Sequence, residues 1–154
     1  MPGMTVKPIP EGYHTITPQL AIEDCAGAIE FYKKAFGAEE IDRALDPSGT
    51  KVWHCAMRIG SSMIFVNGVF PEMGSSASKS SLWLYVSDVD AAFKRAVDAG
   101  AKATMPPADM FWGDRMGNLA DPFGQTWTIA SRVKEMTPEE MKKAGEAFAA
   151  AAKK

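Results

Sequence analysis

Cysteine is scarce in this chain: Cys25 and Cys55 stand alone, without the spacing of a metal site. Two separated thiols of this kind read as buried and reduced. No apolar run approaches the ~20 residues of a membrane span, and the opening "MPGMTVKPIPEGYH" has no hydrophobic signal core. Both absences predict a cytoplasmic protein without a membrane partner. An excess of one charge is missing too. Lys and Arg number 17 against 19 Asp and Glu, and a net −2 gives no electrostatic reason to expect nucleic acid. There is no Ser-His-Asp sequence motif and no Gly-rich phosphate loop. What the chain does have is 154 residues that are 46% apolar, enough for one domain or two small fused modules. Its ten methionines suit an adaptable interior and name no ligand.

A repeat organises the rest. "LAIEDCAGAIEFYKKAFGA" (20–38) runs parallel to "LYVSDVDAAFKRAVDAGA" (84–101). Leu20 falls on Leu84, Ile22 on Val86, Asp24 on Asp88 and Ile29 on Phe93, and Gly37 meets Gly100 after one dropped residue. Each copy predicts an alternating strand, an Asp at the helix N-terminus, apolar residues at helical spacing and a glycine stop. After the first helix, "EEIDRAL", "VWHCAMRI" and "SMIFVN" predict strands separated by turns. After the second, "KATMPPADMF" is limited to an edge or interrupted strand by Pro106 and Pro107. "FWGDRMGNL" reads as a long glycine-rich connection, with Asp114 and Arg115 as a loop ion pair. A tight "DPFG" turn and a final strand "QTWTIAS" follow it. The order is βαβββ, twice. In the tail, Thr137, Pro138 and Glu140 form a capping signature for a helix over 137–153. Met141, Ala144, Phe148 and Ala152 give it a modest apolar stripe, which predicts packing on the domain or on a second subunit.

Two modules with these signatures resemble the vicinal oxygen chelate superfamily, the group of glyoxalase I, bleomycin-resistance proteins and extradiol dioxygenases. "TPQLAIEDCAGAIEFYKKAFGAEE", "WHCAMRIGSSMIFVN" and "FWGDRMGNLADPFGQTWTIAS" look like its PhnB-like branch. The resemblance implies an α+β fold: modules over 13–70 and 80–133, curled mixed sheets lining a cup-shaped cleft, helices on the outer faces, and a homodimer. Strand alternation then divides the residues. Ile16, Leu20, Ile22, Leu82, Leu84, Val86, Cys55, Met57, Ile59, Ile64, Val66, Trp127 and Ile129 go to the core. Thr17, Gln19, Ala21, His54, Ala56, Arg58, Met63, Phe65, Asn67, Ser81, Trp83, Tyr85, Thr126, Thr128 and Ala130 face the cup.

Metal-dependent relatives place His, Gln or Glu at four points, and matching landmarks put Thr17, Phe65, Ser81 and Thr128 there. Phenylalanine cannot ligate and hydroxyls are poor ligands for a transition ion. The expectation is therefore no metal and no cofactor. Phe111 and Trp112 precede the glycines and can close over the cup near Trp83, Tyr85 and Phe65; these aromatics either line a pocket for a planar compound or fill a collapsed cup. His14 reads as a structural or surface histidine. His54 is either hydrogen-bonded structure or a general base, and Arg58 either holds an acidic group or pairs with a carboxylate. Three functions follow: a metal-free protein binding a planar or amphiphilic small molecule through Thr17, Gln19, Phe65, Ser81, Trp83, Tyr85, Trp112 and Thr128; a lyase or isomerase using His54 with Arg58 or an atypical metal; or a structural dimer without ligand.

Overall fold

The computed structural model describes residues 5–153, so residues 1–4 of the opening stretch lie outside the described residues. The elements are β1 (Gln19–Ala21), α1 (Cys25–Phe36), β2 (Glu39–Leu45), β3 (Val52–Ile59), β4 (Ser62–Asn67), β5 (Ser81–Tyr85), α2 (Val89–Ala99), β6 (Lys102–Asp109), β7 (Asp114–Ala120), β8 (Thr126–Arg132) and α3 (Pro138–Ala152), with a 3-10 turn at Pro71–Met73. They build two four-stranded sheets, ordered β1-β4-β3-β2 and β5-β8-β7-β6. In each, one parallel pair (β1 with β4, β5 with β8) sits beside antiparallel ones, so both sheets are mixed. The chain divides into two compact units between Ser78 and Lys79. This is the expected α+β architecture of two curled βαβββ modules and a C-terminal helix.

In the first unit, Asp24 caps α1 by accepting a hydrogen bond from the Gly27 amide at 3.0 Å. Gly37 ends the helix in the left-handed region, at φ 67°, where a side chain would be strained. Ala28, Ile29, Phe31, Tyr32 and Ala35 bury its inner face, with Leu20, Cys55, Met57 and Val66 among the buried residues of the sheet. Cys25 and Cys55 are buried free thiols; desolvation pushes them up to about 12 and about 11 respectively, which keeps both protonated. Ile16 departs from the expected core assignment and is 82% exposed. The pairing of β1 starts only at Gln19, because Pro18 lacks an N–H; it contributes just its carbonyl, to the Phe65 amide at 2.9 Å.

In the second unit Asp88 caps α2 in the same way, accepting from the Ala91 amide at 3.1 Å. Trp127, Ile129 and Leu119 are buried beneath the helix side of the sheet. The expected long connection is corrected here: "DRMGNLA" is β7, an inner strand paired on both sides. Helix propensity argued against glycine in a helix, and says nothing against a strand. Gly117 serves the packing instead, since a Cβ there would lie 2.7 Å from the Phe93 ring of α2. The strand also overturns the Asp114–Arg115 pair, because neighbours in a strand point to opposite faces. Arg115 meets Asp90 at 2.9 Å and Asp109 at 3.1 Å, whereas Asp114 meets Arg132 at 2.9 Å. β6 is an edge strand whose register slips between Met105 and Ala108, at the Pro-Pro pair. Thr137 caps α3, accepting from the Glu140 amide at 3.1 Å. Phe148 of α3 meets Phe111 at 5.1 Å between ring centres, and the helix buries no residue.

Candidate ligand-binding site

In the first unit, the sheet face opposite α1 carries three rows set by register. Asp42, Ala56, Phe65 and Gln19 lie side by side across the strands; Ala44, His54, Asn67 and Ala21 form the next row, and Glu39, Arg58 and Met63 the third. Ala56 is buried and small, with Phe65 beside it, so the face sinks into a cleft of about 410 Å³. His54, Thr17, Ile41, Asp42, Tyr13 and His14 complete the wall together with the Pro8–Pro10 segment. The aromatic side is in mutual contact. Phe65 lies 5.8 Å from Tyr13 and 4.7 Å from His54 between ring centres, the latter edge-on.

His54 is held by one short hydrogen bond, 2.7 Å from Nδ1 to Asn67 Oδ1. An amide oxygen can only accept, so Nδ1 donates here, and in the uncharged tautomer Nε2 is the acceptor. Arg58, also expected on this face, is not part of the cleft wall; its guanidinium lies 3.7 Å from Glu39. A second cleft, of about 210 Å³, continues along the face between Gln19, Ala21, Asn67, Trp53 and Phe70. Strand alternation had no place for Trp53 here. A β-bulge carries it there: the β2–β3 register jumps from Ala44↔His54 to Leu45↔Val52, leaving Trp53 unpaired.

In the second unit, Ser81, Trp83, Tyr85 and Thr128 occupy the face opposite α2, as alternation predicts. Trp83 is 45% exposed and lies 5.9 Å from the Tyr85 ring. Thr128 Oγ1 donates to Asn118 Oδ1 at 2.8 Å. One end of this face is closed by Asp114, which is only 2% exposed. Its carboxylate accepts from Arg132 Nε at 2.9 Å, Trp112 Nε1 at 2.9 Å and the Tyr85 hydroxyl at 3.2 Å. Burial works to raise its pKa, but those three donors together outweigh burial and hold the carboxyl below its ordinary range. Trp112 is thus fixed to the second sheet by a buried acid, and Phe111 is turned toward α3.

The family model of the Glyoxalase/Bleomycin resistance protein/Dioxygenase superfamily matches residues 13–129. The chain belongs to this superfamily. The uncharacterized protein Rv0887c of Mycobacterium tuberculosis is 41% identical over 138 residues, covering 84% of this chain and 81% of its own. The uncharacterized protein At5g48480 of Arabidopsis thaliana is 35% identical over 124 residues, covering 73% and 74%. Among solved structures, TioX from Micromonospora sp. ML1 superposes with a TM-score of 0.66 at 26% identity, covering 78% of this chain and 99% of that one.

Metal ions serve many enzymes of this superfamily, and the donors of this member do not fit one. Phe65 brings no donor atom, and Thr128 brings only a neutral hydroxyl, a poor ligand for a transition ion. Thr17 and Ser81 offer hydroxyls, which bind transition ions poorly. Among the described residues no group of three or more His, Cys, Asp or Glu could hold a metal ion. Nor is any helix among them long and apolar enough to cross a membrane.

Proposed function

We propose that this glyoxalase/bleomycin-resistance superfamily member is a metal-independent, cytoplasmic, homodimeric binding protein for a planar or amphiphilic small molecule. The observation that carries the reading is the cleft over Ala56, walled by Phe65, His54 and Tyr13. A concave, mostly apolar site with a few placed polar groups is what such a ligand needs. Gln19 and Thr17 extend the same face, and Trp83, Tyr85, Ser81 and Thr128 supply the corresponding surface of the second module, with Trp112 at its end. Dimerisation is supported by the exposed apolar side chains of Ile16, Met73 and Phe148 and by the open edges of both sheets.

A second reading, an enzyme of lyase or isomerase type, is favoured by the His54–Asn67 hydrogen bond, which orients an imidazole as a general base would require. Arg58, already facing Glu39, gives it little help. Two measurements test the proposal. Elemental analysis after dialysis is expected to find no stoichiometric zinc, nickel, manganese or iron, and tryptophan fluorescence during a screen of planar compounds is expected to report saturable binding. Stoichiometric metal that survives dialysis, or turnover abolished by His54→Gln, would move the protein to the enzyme reading.

A further inference from the structure

The hydroxyls of Tyr13, Thr15 and Thr17 can donate or accept, but the one fixed side-chain charge in the wall of the first-unit cleft, among the described residues, is negative. Asp42 stands in the row with Ala56 and Phe65, and its carboxylate only accepts hydrogen bonds. It makes no hydrogen bond or ion pair of its own among the described residues. His54 in its uncharged tautomer presents a second acceptor, because Nδ1 donates to Asn67 and the lone pair is then on Nε2. Among the described residues no lysine or arginine lines the cleft. The nearest arginine in register, Arg58, faces Glu39 at 3.7 Å. Lys51 sits 4.6 Å from the ring centre of Phe70, which belongs to the second cleft. His14, exposed at the rim, is the one wall residue besides His54, among the described residues, with a basic side chain.

Resting on the reading of this cleft as a ligand site, we infer that it selects planar molecules that present N–H donors, cationic or neutral, and rejects planar acids. An amidinium or aminated ring would set its N–H groups toward Asp42 and His54 Nε2 and its plane against Phe65 and Tyr13. The faces of those rings attract a cation. A carboxylate of the same shape would meet the Asp42 charge with no fixed cation to offset it, which is selection by repulsion as much as by attraction.

Benzamidine, benzamide and benzoate have nearly one shape and differ in charge and donors, so they separate the two claims. The full chain is titrated with each at about pH 8, above the ordinary titration range of imidazole, and followed through backbone amide shifts. Benzamidine is expected to move the amides of His54, Ala56 and Phe65 and to bind about tenfold more tightly than benzoate, the order of one charge-assisted hydrogen bond. Benzamide should fall between them. Asp42→Asn should close most of that gap, and the imidazole nitrogen spectrum of the free protein should show Nδ1 protonated. Benzoate binding at these amides as tightly as benzamidine overturns the donor selectivity and leaves the small-molecule reading standing. A gap that survives Asp42→Asn also overturns it. If none of the three moves the cleft amides at millimolar concentration, the small-molecule reading fails and takes this inference with it.

Discussion

The two units share one topology and one register but use the free faces of their sheets differently. Leu20↔Val66 in the first corresponds to Leu84↔Ile129 in the second, so His54 stands where Met116 does and Phe65 where Thr128 does. Following the strands outward, the bulge brings Trp53, and no carboxylate, to the end of the face that the buried Asp114 closes in the second unit. The second unit therefore closes the end of its face with a carboxylate and three donors. The first leaves that end apolar and sinks a cleft over Ala56. Beneath the helices the two units exchange volume. The residue five positions after the capping Asp is Ile29 in α1 and Phe93 in α2, and the facing strand position is Cys55 in one and Gly117 in the other. A larger helix residue is matched by a smaller strand residue, so the contact is redrawn with the bulk moved from strand to helix. A repeat preserves its frame through caps and the register of its inner strands, and is free to change what the free face displays.

Substitutions can break this comparison, beginning with the largest. Trp127→Ala should cost about 3–5 kcal/mol, since its ring is buried and its Nε1 donates to Asp121 at 2.9 Å. Trp83→Ala, on the opposite face, should change stability little and weaken ligand binding by about 1–3 kcal/mol. Urea unfolding of both variants checks the assignment, and equal losses would make Trp83 a packing residue.

Asp114→Asn should cost about 2–3 kcal/mol, because charged hydrogen bonds to Arg132, Trp112 and Tyr85 are weakened together. Its folded pKa is lowered, so its contribution is present above the ordinary carboxylate range near ~4 and is lost as pH falls through the folded value. The variant should accordingly flatten the acid limb of the stability profile, as measured by melting temperature between neutral and acid pH. An unchanged limb would mean that the carboxylate is not ionised in the native state.

Gly117→Ala should cost about 1–3 kcal/mol, because the new methyl group would press on Phe93 at 2.7 Å and on the Pro107 nitrogen at 3.0 Å. Adding Phe93→Ile, which copies the first unit, should return part of that loss in a double-mutant cycle. The smallest effect tests the likeness of the units directly. Asp24→Ala and Asp88→Ala each remove one capping hydrogen bond, and each should cost about 1 kcal/mol. Chemical denaturation giving clearly unequal losses would show that the two caps are not equivalent.

Much of the frame was legible because its signals are local. Asp24, Asp88 and Thr137 announce helix starts through side chains that reach three residues ahead, and "VWHCAMRI" and "SMIFVN" display their strand character in their own pattern. β7 was hidden because its defining contact is remote: Gly117 makes sense only once Phe93 lies across it. Ile16 was misplaced by extending alternation through Pro18, where the ladder has no donor. The face of the site was legible residue by residue, with His54, Phe65, Asn67, Trp83 and Tyr85 on their expected sides. Its shape was not. The bulge that turns out Trp53, the Pro8–Pro10 wall and the acceptor role of Asp42 depend on how distant segments meet, and no short window of residues encodes that.

Asp121 gives the last strand an independence that its place in the sheet would not suggest. Its carboxylate receives the Phe123 and Gln125 amides at 2.8 and 3.0 Å and the Trp127 indole at 2.9 Å, all within six residues. Closing so short a loop costs little chain entropy. The contacts that shape the turn and orient Trp127 thus lie within the turn itself, and with them the choice of which side of β8 faces inward. A strand that pairs with both β5 and β7 carries part of its own reading frame in the six residues around its start.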